Sequence, residues 1–399
     1  MQRAIRAVFY RGGTSKGLFF RASDPMHLPR RRLDQILLSA MGSPDPDGRQ
    51  IDGMGGGLSS LSKVAIVSTP GETLPCRPEE GHLPTNDPTC HSFPDGIAWA
   101  DDVEAASRED AGWDVVYRFA QVGVRDGVVD WGSTCGNLVA AVAHYAVEEG
   151  LVNERVLEII YRNPGLEEFP LTIRILAVDS GKIVRARVQV RKFLGSMSSG
   201  SSPWFVTSDG NASISGVPGT SSAVDIENPL HGDILPTGRV LDQIILDGDQ
   251  IPCTIVDAGL PSIFIPSTAV FPSPQSFLLS PAELDADICV VGPPTPYTSA
   301  AGQAIRSEDM DCAIRAVSVG NFHRTVPATM LSALAVAGAL QGSIVASHGN
   351  ARTITVGHPA GVSHATTTLS RDGIPASIAY VRTARRLFQG EVLVRDAGN

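Results

Sequence analysis

The sequence predicts an α/β protein of the α+β kind, built as two similar lobes, and three observations lead there. Its 399 residues, 43% hydrophobic and 19% charged, suffice for two ordinary domains, each with its own buried core. The 40 Gly and 28 Pro are scattered rather than clustered, as many tight turns between short strands require. Two stretches, Asn137 to Val147 and Val326 to Leu340, are rich in Ala and Val on nearly every face yet too short for a bilayer. Each reads as the buried central helix of one lobe, entered from a small-polar loop and closed by glycine, Gly150 or Gly342. Matched central helices imply a cleft between the lobes.

The elements follow in order. Ile5 to Tyr10 reads as a strand, Gly12-Gly13 as a turn, and Gly17 to Arg21 as the returning strand. Leu33, Ile36, Leu37 and Ala40 have helical spacing over Arg30 to Met41, and the run from Gly42 to Gly48 stops it. A glycine-rich turn, Gly53 to Gly57, leads into the strand-like end of Ser59 to Thr69. Residues 70 to 112, rich in Pro, Asp, Glu and His, read as a surface excursion before the strand Asp114 to Val122. Alternating segments at Val156 to Tyr161, Leu171 to Ala177 and Ile183 to Val190 read as further strands, and Gly195 to Ser202 resembles a linker. The boundary is placed near residue 191, giving lobes of 1–190 and 191–375, with 376–399 free to pack back on the first. Pro327 suits the first turn of the second helix.

A formal charge of -10 argues against nonspecific binding to nucleic acid or an anionic membrane, which needs an extended basic surface. The expected partner is a small molecule. An anionic ligand would have to be held by local devices, helix N-termini and a few placed cations. Cys76, Cys90, Cys135, Cys253, Cys289 and Cys312 form no Cys-x-x-Cys pair and accompany no regular His spacing, so no metal site or disulfide framework is expected, and a cytoplasmic setting is. The early arginines are not expected to form a transit peptide, because the candidate chemistry begins at Arg11 and the apolar run is short.

Four constellations are candidates for chemistry, with a structural cysteine, a plain polar hairpin and a structural histidine as the alternatives for Cys135, Arg11 to Gly17 and His323. Cys135, in Asp130 to Asn137, stands at the mouth of the first buried helix, where unpaired N–H groups and the helix dipole favour an anion, be it a carboxylate or a thiolate; Gly136 admits close approach. Lys63 opens the buried run Val64 to Val67, and burial of an ammonium favours its neutral, basic form; a solvated edge lysine is the alternative. The turn Arg11 to Gly17 offers hydroxyls, N–H groups and a cation for a carboxylate. His323 and Arg324 stand at the mirrored mouth of the second helix, where a guanidinium would hold a second carboxylate. The phosphate-loop spacing of Gly12 to Gly17 lacks its Lys-Ser/Thr, and Ser60-Leu61-Ser62-Lys63 lacks the other acyl-enzyme motifs. With no dinucleotide fingerprint either, no cofactor is expected.

Arg11 to Gly17, Gly42 to Pro46, Gln50 to Gly56, Ser59 to Lys63, Cys135 to Asn137, Gly216 to Thr220, Leu235 to Gly238 and Asp257 to Pro261 resemble the PrpF family. That family includes 2-methylaconitate cis-trans isomerase, 3-methylitaconate and aconitate delta-isomerases and 4-oxalomesaconate tautomerase. The resemblance implies a diaminopimelate-epimerase-like fold of two pseudo-symmetric lobes, each a sheet wrapped around a central helix. It implies a cofactor-independent shift of a C=C bond in an aconitate- or itaconate-like polycarboxylate, with keto-enol tautomerisation of an oxo-tricarboxylate or noncatalytic carboxylate binding as alternatives. Lys63, Cys135 and Ser15 match the family's catalytic positions; Thr14, Lys16, Gly55, Gly56, Ser59, Ser60, Gly136, Asn137, His323 and Arg324 are the expected substrate contacts. Thr134 and the loop Tyr161 to Gly165 depart from the family's pattern. The sequence leaves a homodimer open.

Overall fold

Apolar spacing decides the first elements. In α1 (Arg30–Met41) Leu33, Ile36, Leu37, Ala40 and Met41 are buried, the one-sided stripe of a helix lying on a sheet. The structure, a computed structural model, describes residues 2–23, 30–70, 112–162, 167–178, 182–192, 204–230, 233–246, 248–270, 288–318, 321–346, 348 and 352–395. The expected surface excursion and the linker at Gly195 to Ser202 lie outside the described residues, as do Asn163 to Gly165. The chain divides into two compact units, Met1–Ala212 with Thr220–Ile226 and Arg382–Asn399, and Ser213–Gly219 with Glu227–Val381. The division thus falls beyond the boundary expected near residue 191.

In the first unit β1 (Gln2–Gly12) and β2 (Ser15–Arg21) form an antiparallel hairpin closed at Gly12 and Ser15. The strand Ala384–Arg395 flanks β1, from Gln2 opposite Arg395 to Gly12 opposite Ala384. On the other side β2 runs parallel to β3 (Lys63–Ser68), and β3 antiparallel to β4 (Val115–Val122). Glu168–Ala177 lies parallel to β4 and pairs antiparallel with Lys182–Lys192. Through this sheet runs α2 (Gly136–Glu148), with every residue from Asn137 to Val147 buried and strands β1, β2 and β3 packed against it. A helix apolar all round must be enclosed on all sides, which is why the sheet wraps it.

One expectation fails. Val156 to Tyr161 belongs to a helix, α3 (Glu154–Tyr161), and not to a strand. Asn153 decides this by capping: its side chain accepts the Val156 N–H at 3.2 Å, satisfying a donor that a strand would have placed on a neighbour.

The second unit repeats the order of pairings. Asp242–Leu246, Asp249–Asp257 and Pro261–Pro266 pair antiparallel in turn. Ile288–Gly292 joins parallel, Cys312–Ser318 antiparallel, Thr353–His358 parallel and Gly361–Leu369 antiparallel. Read from Ala384–Arg395 onward, the first unit has the same succession. Each unit places its buried helix within the second parallel crossover: α2 between β4 and Glu168–Ala177, α4 (Ala328–Ala339) between Cys312–Ser318 and Thr353–His358. Pro327 sits in the cap position of α4 with extended backbone, one residue earlier than the first-turn place expected for it.

Candidate active site

The site grows from the turn between β1 and β2. Gly13 holds φ +53, and a side chain there would collide with the Asn137 carboxamide, so glycine lets the turn press against the mouth of α2. Arg11 fixes the turn: its Nη1 donates to the Gly13 carbonyl at 2.9 Å and to the Thr383 carbonyl at 2.8 Å, while the Gly13 N–H donates to the same Thr383 oxygen. Asn137 completes the clamp. Its Nδ2 donates to Thr14 Oγ1 at 3.3 Å, and its Oδ1 accepts from Arg382 Nε at 2.9 Å.

Against this frame Cys135 caps α2 with extended backbone and no side-chain capping bond. Its Sγ lies 3.8 Å from Ser15 Oγ, and both residues are buried, 6% and 2% exposed. The N–H groups of Gly136 and Asn137 have no acceptor among the described residues, so the positive end of the helix dipole opens beside thiol and hydroxyl. Such a mouth is built for an anion.

Lys63 reaches the same turn through the sheet. Gly17, two residues beyond Ser15, is its partner in the β2–β3 pairing, and a Cβ on Gly17 would stand 2.5 Å from the Lys63 carbonyl. The half-buried Lys63 ammonium donates to Gln121 Oε1 at 2.7 Å and lies 4.9 Å from the centre of the Phe119 ring. Among the described residues no carboxylate lies within 4.0 Å of it.

Thr14, Ser15, Cys135, Gly136 and Asn137 come together at the mouth of α2, with Lys16 next in the turn, its Nζ 5.7 Å from the Phe9 ring. Gly55, Gly56, Ser59 and Ser60 lie in the segment leading to β3, where Ser59 contributes its carbonyl to Gln121. His323 and Arg324 belong to the second unit. The His323 N–H donates to the Ala316 carbonyl, and the Arg324 carbonyl accepts from Ala360, leaving the Arg324 side chain exposed ahead of α4.

Sequence reasoning missed Gln50, Gln121 and Arg382. Gln50 is buried at φ +51, a left-handed conformation uncommon outside glycine. Its amide donates to Ser43 Oγ and Ser62 Oγ and accepts the Gly57 N–H, which braces the glycine-rich segment before Lys63. A polar residue within the apolar run of β4 was a usable signal for Gln121; for Arg382 the chain offered none.

What the chain is similar to gives its class, an isomerase. The chain matches the PrpF protein family over residues 2–74, 103–287 and 279–395, and it belongs to that family. It is 30% identical to a 2-methyl-aconitate isomerase of Shewanella oneidensis, over 90% of this chain and 88% of that one. It is 28% identical to a 3-methylitaconate isomerase of Eubacterium barkeri, over 99% and 98% of the two. A crystal structure of methylitaconate-delta-isomerase shares its fold with a TM-score of 0.65 and 26% identity, covering 100% of this chain and 99% of that one.

Proposed function

We propose that this PrpF protein moves a C=C bond along an allylic unit of a small aconitate- or itaconate-like polycarboxylate, without metal or cofactor. The observation that carries the reading is the mouth of α2, where Cys135 and Ser15 lie 3.8 Å apart beside open N–H groups, with Lys63 joined to the same turn through Gly17. Lys63 in its neutral form takes the carbon-bound proton. The electron pair left behind spreads over the allylic unit and its carboxylate as a dienolate, which the N–H groups of Gly136 and Asn137 stabilise. Cys135 serves as the partner acid, returning a proton to the far carbon, and Ser15 orients the substrate carboxylate; proton exchange with solvent then restores the neutral amine and the thiol. Substrate and product are isomers, so no electrons are gained or lost and the step needs no redox group. His323 and Arg324 are assigned to carboxylate binding in the same reading.

The free, buried Cys135, Cys253, Cys289 and Cys312 support a cytoplasmic setting, and among the described residues no helix is long and apolar enough to cross a membrane. A panel of cis-aconitate, an alkylated aconitate and an oxo-mesaconate, followed by NMR, tests the proposal. Conversion of the aconitates to double-bond isomers is expected and should survive exhaustive chelation. Turnover of the oxo acid alone would favour the tautomerase reading, and conversion of none would leave only a binding role.

A further inference from the structure

We propose that Gln121 is a positioning residue for the reaction: its amide aims the Lys63 amine and holds it in one geometry with the Ser59–Ser62 backbone. This rests on the reading of Lys63 as the group that takes the carbon-bound proton.

The argument starts from strand register. β3 and β4 pair antiparallel with Lys63 opposite Gln121, and Phe119, two residues earlier, lies on the same face of β4. The Lys63 side chain therefore meets both, with Nζ 2.7 Å from Gln121 Oε1 and 4.9 Å from the centre of the Phe119 ring. The other end of the amide is not free to turn. Gln121 Nε2 donates to the Ser59 carbonyl at 3.0 Å and to the Ser62 carbonyl at 2.9 Å. A flipped amide would set its oxygen against those two carbonyls and its NH2 against the ammonium, losing every favourable contact at once. The orientation is thus dictated by the backbone of the Ser59–Leu61 turn and Ser62, and that backbone is braced in turn by Gln50 through Ser62 Oγ at 2.6 Å.

Two consequences follow. The acceptor offered to Lys63 is a fixed neutral dipole, which locates the amine without placing a charge beside it. The amide also ties the amine to the Ser59–Ser62 backbone, so the base and the segment in front of it hold one geometry. A glutamate at this position would keep an oxygen beside Lys63 and add a negative charge. A methionine would keep the bulk and remove the acceptor.

The test compares the pH profile of kcat for the wild type, Gln121→Glu, Gln121→Met and Lys63→Ala, with a circular dichroism melt of each. The charge in Gln121→Glu should move the acid limb of the profile to higher pH by about one unit or more. Gln121→Met should move it to lower pH and lower the maximal kcat about tenfold or more, with KM changed less than about threefold, as expected when orientation is lost and binding is kept. A role confined to stability would depress the melting temperature of both variants without moving the limbs in opposite directions. If Lys63→Ala is inactive while both Gln121 variants keep the wild-type limb, the positioning role is wrong and the Lys63 reading stands. Should Gln121→Met fail to fold, an unmoved limb in Gln121→Glu overturns the proposal by itself. Near-normal turnover in Lys63→Ala would instead remove the reading beneath it, and the role of Gln121 with it.

Discussion

The two units share a succession of strand pairings but not the residues at their helix mouths. Cys135 stands in the cap position of α2, and Pro327 in that of α4. Lys63 pairs with Gly17 across the first parallel crossover of one unit, and Ile288 pairs with Ile263 across that of the other. Proline supplies no acid, and isoleucine no base. Topology has been duplicated, whereas the thiol and the amine occupy one copy. The wrapped-helix architecture is therefore a scaffold that leaves a helix mouth open, and the residues placed at the mouth decide what it does.

Substitutions can break or sharpen that contrast. The largest loss is expected from Lys63→Ala, about 10⁴-fold in kcat, the upper end of what one general base contributes. Cys135→Ser keeps size and hydrogen bonding but not the acidity of a thiol, and steady-state kinetics should show kcat reduced about 100-fold. A loss under threefold would reassign Cys135 to holding the anion. Arg324→Ala probes the second mouth. It should raise KM about tenfold through loss of one charge-assisted contact and lower kcat less. Kinetics unchanged with every substrate would take Arg324 out of carboxylate binding.

The helices themselves should differ in acid. α4 carries no titratable residue, whereas α2 carries His144, 3% exposed, with its Nε2 unpartnered among the described residues. Burial, and then the charge of Arg11, pull His144 from its ordinary 6.5 down to about 3. The unfolded chain takes up this proton below about pH 6.5 and the folded one does not until about pH 3, so stability falls as pH drops through that window. Urea titrations should show His144→Leu losing about 2 kcal/mol less than the wild type between pH 7 and pH 5. An equal loss in both would place the acid sensitivity elsewhere.

What the sequence disclosed and what it hid divide by range. The helix Arg30–Met41 was legible because Leu33, Ile36, Leu37 and Ala40 repeat at helical spacing, and the mouth of α2 because Cys135-Gly136-Asn137 abuts a run apolar on every face. Val156 to Tyr161 misled because a short run rich in Val and Ile fits either period; the cap at Asn153 was the deciding mark. The clamp from Asn137 to Arg382 spans 245 residues, and the contact of Lys63 with Gln121 depends on register across 58. No local pattern encodes such pairs, since only the folded sheet and the helix it wraps bring them together.

The central claim, that the amine of Lys63 moves a carbon-bound proton, is tested most directly by isotope exchange. Wild type and Lys63→Ala would each be incubated with the substrate in heavy water, and deuterium at the allylic carbons followed by NMR. The account predicts deuterium at those carbons with the wild type, and none above the uncatalysed background with a folded Lys63→Ala. Uptake by Lys63→Ala at the wild-type rate would contradict it.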